Sequence, residues 1–124
     1  MSRFAFVKFV VRDLSAMRVF YECALQLVAV RTIDTPDITE IIMRPKGEAE
    51  GFCLVLYKSK DDRAVVLGDA HGPLGFYVGS ASDAFQSALR KGATPLKAPF
   101  DISGLRVAFV RDPEGHELEF LERL

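Results

Sequence analysis

The residues that could do chemistry in this chain are few. There are two histidines, His71 and His116, and two cysteines, Cys23 and Cys53. Near the C-terminus, Glu117 and Glu119 alternate with Leu118 and Phe120, which places both carboxylates on one face of a strand. A carboxylate held in apolar surroundings without a partner can act as a base. Paired with Lys8 or Arg106, Glu119 would instead be structural, and that pairing is the expectation. His71, with Glu119, Glu117 and Cys53, could make an irregular metal site; its ordinary reading is a polar loop residue. His116 belongs to the turn Asp112-Pro113-Glu114-Gly115-His116. Neither cysteine has a neighbouring base in sequence, so a nucleophile is unsupported, and Cys23 is expected in the core. Arg106 could hold an anion bidentately. Tyr57 and Tyr77 read as packing residues with solvated hydroxyls.

These residues must be positioned by strands and helices that the pattern makes visible. Phe4 to Val11 alternates as a strand apolar on both faces. Asp13 sits at a helix N-cap, and Leu14, Met17, Tyr21 and Ala24/Leu25 follow at helical spacing. Val28–Ile33, Thr39–Arg44 and Phe52–Tyr57 read as strands separated by turn chemistry. Lys58 to Gly72 reads as an exposed loop. The pattern then recurs: a strand Leu74–Val78, and a helix capped by Ser80 or Ser82, with Gly92 as its C-terminal left-handed residue. Strands Thr94–Lys97, Leu105–Val110 and Glu117–Leu121 follow, with turns at Pro99 and Pro113/Gly115. Strand–helix–strand–strand–strand thus occurs twice, at roughly sixty residues per copy. The expected organisation is one domain over residues 1–124, made of halves 1–58 and 72–124 joined by a loop.

The 49% hydrophobic and 27% charged residues mark a folded chain, not a disordered one. A net charge of −1 with no basic run longer than a pair makes nucleic acid or an anionic membrane an unexpected partner. No apolar stretch reaches the roughly 20 residues of a membrane helix. The N-terminus has no secretory layout, so a cytoplasmic protein with free thiols is expected.

In order along the chain, Val10-Val11-Arg12-Asp13-Leu14, Phe20-Tyr21 and Leu25-Gln26-Leu27 resemble motifs of the vicinal-oxygen-chelate superfamily, the glyoxalase, bleomycin-resistance and dioxygenase-like domains. Phe109-Val110-Arg111-Asp112-Pro113-Glu114-Gly115-His116 with Leu118-Glu119-Phe120 resembles the superfamily's closing hairpin. Gln26 departs from the pattern, standing where glycine is common. The resemblance implies an α+β fold of tandem βαβββ modules forming a cupped mixed sheet, with a small-molecule ligand in the cup and a homodimer as the usual assembly.

Each module has one helix for four strands, so the helix covers one sheet face and leaves the other to a ligand, core or partner. Giving the more apolar parity to the helix side leaves Phe4, Phe6, Lys8, Cys53, Val55, Tyr57, Pro73, Gly75, Tyr77, Arg106, Ala108, Glu117 and Glu119 on the cup side. Metal-dependent relatives place one ligand on each of four cup strands. Carried onto this chain, those positions fall on Phe6, Val55 (or Cys53), Pro73 and Glu119. A single carboxylate cannot hold a catalytic divalent ion, which normally has about three protein ligands. The expected function is therefore cofactor-free binding of a small, largely hydrophobic molecule by Phe6, Lys8, Cys53, Val55, Tyr57, Pro73, Tyr77, Arg106 and Glu119. The alternative is a glyoxalase-type lyase or isomerase using Glu119, with His71 helping to hold zinc, nickel or manganese in an irregular site.

Overall fold

The computed structural model describes all 124 residues and divides them into two compact units, Met1–Val66 and Leu67–Leu124. The first contains β1 (Phe6–Val10), α1 (Leu14–Leu25), β2 (Leu27–Asp34), β3 (Ile38–Pro45) and β4 (Cys53–Ser59). The second contains β5 (Leu74–Tyr77), α2 (Ala81–Arg90), β6 (Thr94–Ile102), β7 (Leu105–Arg111) and β8 (Glu117–Arg123). Each is a βαβββ module with a four-stranded mixed sheet, ordered β1-β4-β3-β2 in one and β5-β8-β7-β6 in the other. In both, the first strand pairs parallel with the last and the remaining pairs are antiparallel.

Local chemistry explains the helix ends. Asp13 accepts the Ala16 amide at 2.9 Å, and Ser80 accepts the Asp83 amide at 3.1 Å, so Ser80 rather than Ser82 is the second cap. Gly92 takes φ +112° beyond α2, with Gly92 N–H on the Leu89 carbonyl and Ala93 N–H on that of Ala88, a Schellman ending. Gln26 adopts the left-handed conformation at φ 54° and ψ 33°, and its side-chain amide donates to the Cys23 carbonyl at 3.2 Å. Buried Met17, Phe20, Tyr21 and Ala24 turn α1 onto its sheet; Ala81, Phe85 and Ala88 do so for α2. Cys23 lies off that stripe and is exposed, contrary to the core position expected for it.

Two further expectations are corrected. β6 runs on to Ile102 instead of ending at Lys97, and Pro99 lies within it rather than in a turn. The strand tolerates Pro95 and Pro99 because it is the sheet edge and its pairing slips between Pro95 and Lys97 and again between Lys97 and Phe100. On β7 the face assignment is inverted. Ala108 pairs with Phe120 and Val110 with Leu118, so these face α2, whereas Phe109 pairs with Glu119. No helix is long and apolar enough to cross a membrane.

Candidate functional site

Directly paired residues share a sheet face, so the registers define what lies opposite each helix. In the first unit Phe6, Lys8 and Val10 pair with Cys53, Val55 and Tyr57. Val55 and Tyr57 pair in turn with Ile42 and Glu40. Five expected residues, Phe6, Lys8, Cys53, Val55 and Tyr57, therefore share this face. Lys8 Nζ lies 3.0 Å from Glu40 Oε2, 5.6 Å from the centre of the Phe6 ring and 5.1 Å from that of Tyr57. Glu40 is the residue the sequence reading missed. Extending the alternation into β3 would have found it, since Glu40, Ile42 and Arg44 share one parity. Cys53 and Val55 are buried, and Cys53 Sγ donates weakly to the Ala5 carbonyl at 3.8 Å. Phe4 precedes β1 and is exposed.

Tyr57 also walls a cavity of about 410 Å³ at the end of the same sheet, completed by Pro36, Asp37, Ile38, Ser59, Lys60, Asp61 and Arg63. That volume lies within the roughly 300–1,000 Å³ of small-molecule sites. Its rim carries ion pairs from Lys60 to Asp34 and from Arg63 to Asp61. The Arg63 guanidinium pulls the Asp61 carboxyl well below the ordinary carboxylate range, and the Lys60 ammonium does the same more mildly to Asp34.

In the second unit Glu119 stands between Gly75 on β5 and Phe109 on β7, with Tyr77 one pair further along, beside Leu121. Phe100 stacks on Phe109 at 6.3 Å, Lys97 Nζ lies 5.5 Å from the Phe109 ring centre, and Arg123 lies over the Tyr77 ring at 4.2 Å. Glu117 pairs with Arg111 at 3.6 Å. Glu119 carries no ion pair. Both expected partners are engaged elsewhere, Lys8 with Glu40 and Arg106 with Asp101. Arg106 leaves the expected set altogether: it pairs with Glu122 across the sheet, on the α2 side, and grips Asp101 at 2.7 Å. Pro73 and His71 lie in the exposed irregular segment before β5.

The β7–β8 turn fixes these positions. Asp112, 2% exposed, accepts the Glu114 amide at 2.9 Å, the His116 amide at 3.0 Å and the imidazole, whose Nδ1 lies 2.9 Å from Oδ2. A carboxylate only accepts, so Nδ1 carries the proton in this contact. His116 is thus structural, as its place in the turn suggested.

The positions onto which the resemblance carries metal ligands offer one acidic side chain, Glu119. Phe6, Val55 and Pro73 have no ligating atom in their side chains, and within neither unit do three His, Cys, Asp or Glu side chains come together as a metal site.

Tandem βαβββ units with helix-free faces lined by aromatic and charged side chains define the class. Residues 3–120 match the family model described as Glyoxalase/Bleomycin resistance protein/Dioxygenase superfamily. The chain belongs to that superfamily. It is 27% identical over 108 residues to a lactoylglutathione lyase of Neisseria meningitidis serogroup A, covering 84% of this chain and 78% of that protein. Among solved structures it is similar to glyoxalase I from Zea mays, with a TM-score of 0.85 at 20% identity. That match covers 98% of this chain but only 47% of the maize chain, so this protein spans about half the length of that relative. A glyoxalase I from Leishmania major matches with a TM-score of 0.84 at 22% identity, over 98% of this chain and 87% of that one.

Proposed function

We propose that this protein binds a small, largely hydrophobic molecule on the helix-free faces of its sheets without using a metal. The observation that carries this reading is the substitution of the resemblance's metal positions by Phe6, Val55 and Pro73, which leaves Glu119 as the single acid among them. Exposed Phe6 and Tyr77, with the cavity beside Tyr57, supply apolar surface and room for such a ligand. A homodimer and a cytoplasmic location belong to the same proposal: the superfamily resemblance supports the first, and two free cysteines suit a reducing compartment.

The test is fluorescence titration with phenylnaphthylamine, a neutral aromatic dye, with and without EDTA. The proposal expects saturable binding that EDTA leaves unchanged. Loss of binding on chelation would contradict it. Sedimentation of a monomer at micromolar concentration would remove the dimer.

The second reading is a glyoxalase-type lyase or isomerase, in which Glu119 acts with an irregular divalent-metal site that includes His71. It is favoured by the unpaired state of Glu119 and by the likeness to the meningococcal lyase. Glu119→Gln separates the readings: the enzyme loses its divalent ion and its turnover, whereas metal-free binding has neither to lose.

A further inference from the structure

We infer that Lys8 gives the first unit's face a built-in cation, and that the ligand is consequently an aromatic anion, carrying a carboxylate or sulfonate on a planar ring. This rests on the binding reading above and names the ligand class for it.

The register supplies the geometry. Lys8 stands directly opposite Val55 and two residues along the same face from Phe6. It is therefore the immediate neighbour of two positions that carry no metal-ligating atom. Its ammonium reaches Glu40 on β3, whereas Lys8 itself is on β1, and β4 lies between them. With neighbouring strands about 4.8 Å apart, the aliphatic stem must cross β4 over Val55 and Tyr57. The charge is thus carried to the middle of the sheet face and set against the Phe6 and Tyr57 rings.

The ammonium is not saturated there. It has three N–H donors, Glu40 is its one ion-pair partner, and its side chain remains 37% exposed. The surrounding charge has the same sign. Arg31 and Arg44 share this face by register with Ile42 and Val28, against Glu40 alone, although the chain as a whole carries −1. A ring lying against Phe6 and Tyr57 would bring its anionic oxygen to the free N–H groups of Lys8. Tyr57 is also a wall of the adjacent cavity, which leaves room for the remainder of the ligand.

The experiment compares two dyes with the same ring system, anilinonaphthalene sulfonate and neutral phenylnaphthylamine, by fluorescence titration of the intact chain. One charge-assisted hydrogen bond at a partly exposed site predicts that the sulfonate binds about tenfold more tightly. Lys8→Met should abolish that preference, so that within this variant the sulfonate and the neutral dye bind equally to within about twofold. Lys8→Arg should keep it. Glu40→Gln, which frees the ammonium of its carboxylate, should tighten the sulfonate by about threefold. A purely structural ion pair would not produce this gain. Circular dichroism establishes that each variant is folded, and Lys8→Arg with Glu40→Gln keep the test decisive if Lys8→Met is not. A preference that survives Lys8→Met, or a weaker sulfonate complex in Glu40→Gln, overturns the role of Lys8. Equal binding of both dyes to the wild type also overturns it but leaves the binding reading standing. Binding of neither dye removes the binding reading itself.

Discussion

Replacing Asp112 by alanine tests how the β7–β8 hairpin holds Glu119 opposite Phe109. Asp112 is 2% exposed and accepts two main-chain amides and one imidazole N–H. Removing the carboxylate strands these donors in a turn where His116 is itself only 9% exposed. Each unsatisfied buried donor costs about 1–3 kcal/mol, so three stranded donors cost on the order of 3–9 kcal/mol before the turn relaxes. Some water can enter a turn, so about 4 kcal/mol is expected, against a whole-domain stability of about 5–15 kcal/mol. Asp112→Asn retains one acceptor oxygen and should lose about half of this. The assay is guanidinium unfolding, where the midpoint of Asp112→Ala should fall by about 1 M with little change in slope. A loss below about 1 kcal/mol would refute the account of the turn, since at least one donor would then have found another partner.

Three other outcomes follow from the backbone and the surface. Gln26 holds φ 54° at the end of α1, so Gln26→Gly should stabilise by about 0.5–1 kcal/mol, read as a higher melting temperature. Ser103 and Gly104 both have positive φ in the two-residue turn joining β6 to β7, the pattern of a type I′ turn, so Ser103→Asn should stabilise by several tenths of a kcal/mol in the same assay. The Arg106 guanidinium lowers the Asp101 carboxyl below its ordinary value, so this contact contributes stability above the unfolded-state pKa and loses it as pH falls through the folded one. Melting temperatures between pH 5 and 2 should therefore fall less steeply for Asp101→Asn than for the parent, with the difference shrinking in high salt because the pair is exposed.

What was legible in the sequence is what local chemistry decides. The Asp13 and Ser80 caps, the glycine ending at Gly92 and the Asp112–His116 turn each depend on residues within a few positions of one another. The repeated βαβββ order was equally visible, because period-two and helical spacing alternate cleanly. The misread parts depend on pairing between distant segments. β7 is apolar on both parities, Val107 and Phe109 on one and Ala108 and Val110 on the other, so only its register with β8 reveals that Arg106 faces α2. Pro99 read as a turn because its tolerance depends on β6 being an edge strand. The Lys8–Glu40 contact requires the order β1-β4-β3, which brings a residue of the first strand within reach of one in the third across the strand between them. Cys23 was expected in the core, but the sheet-facing stripe of α1 passes through Met17, Phe20, Tyr21 and Ala24 and leaves position 23 outside it.

The central claim is that this member of the superfamily works without a bound metal ion, and its most direct test is the metal content of the protein. The chain should be purified without chelators, equilibrated with nickel, zinc or manganese, desalted and analysed by inductively coupled plasma mass spectrometry. The account predicts far less than one ion per chain for each metal. Close to one ion per chain, lost on Glu119→Gln, would contradict it.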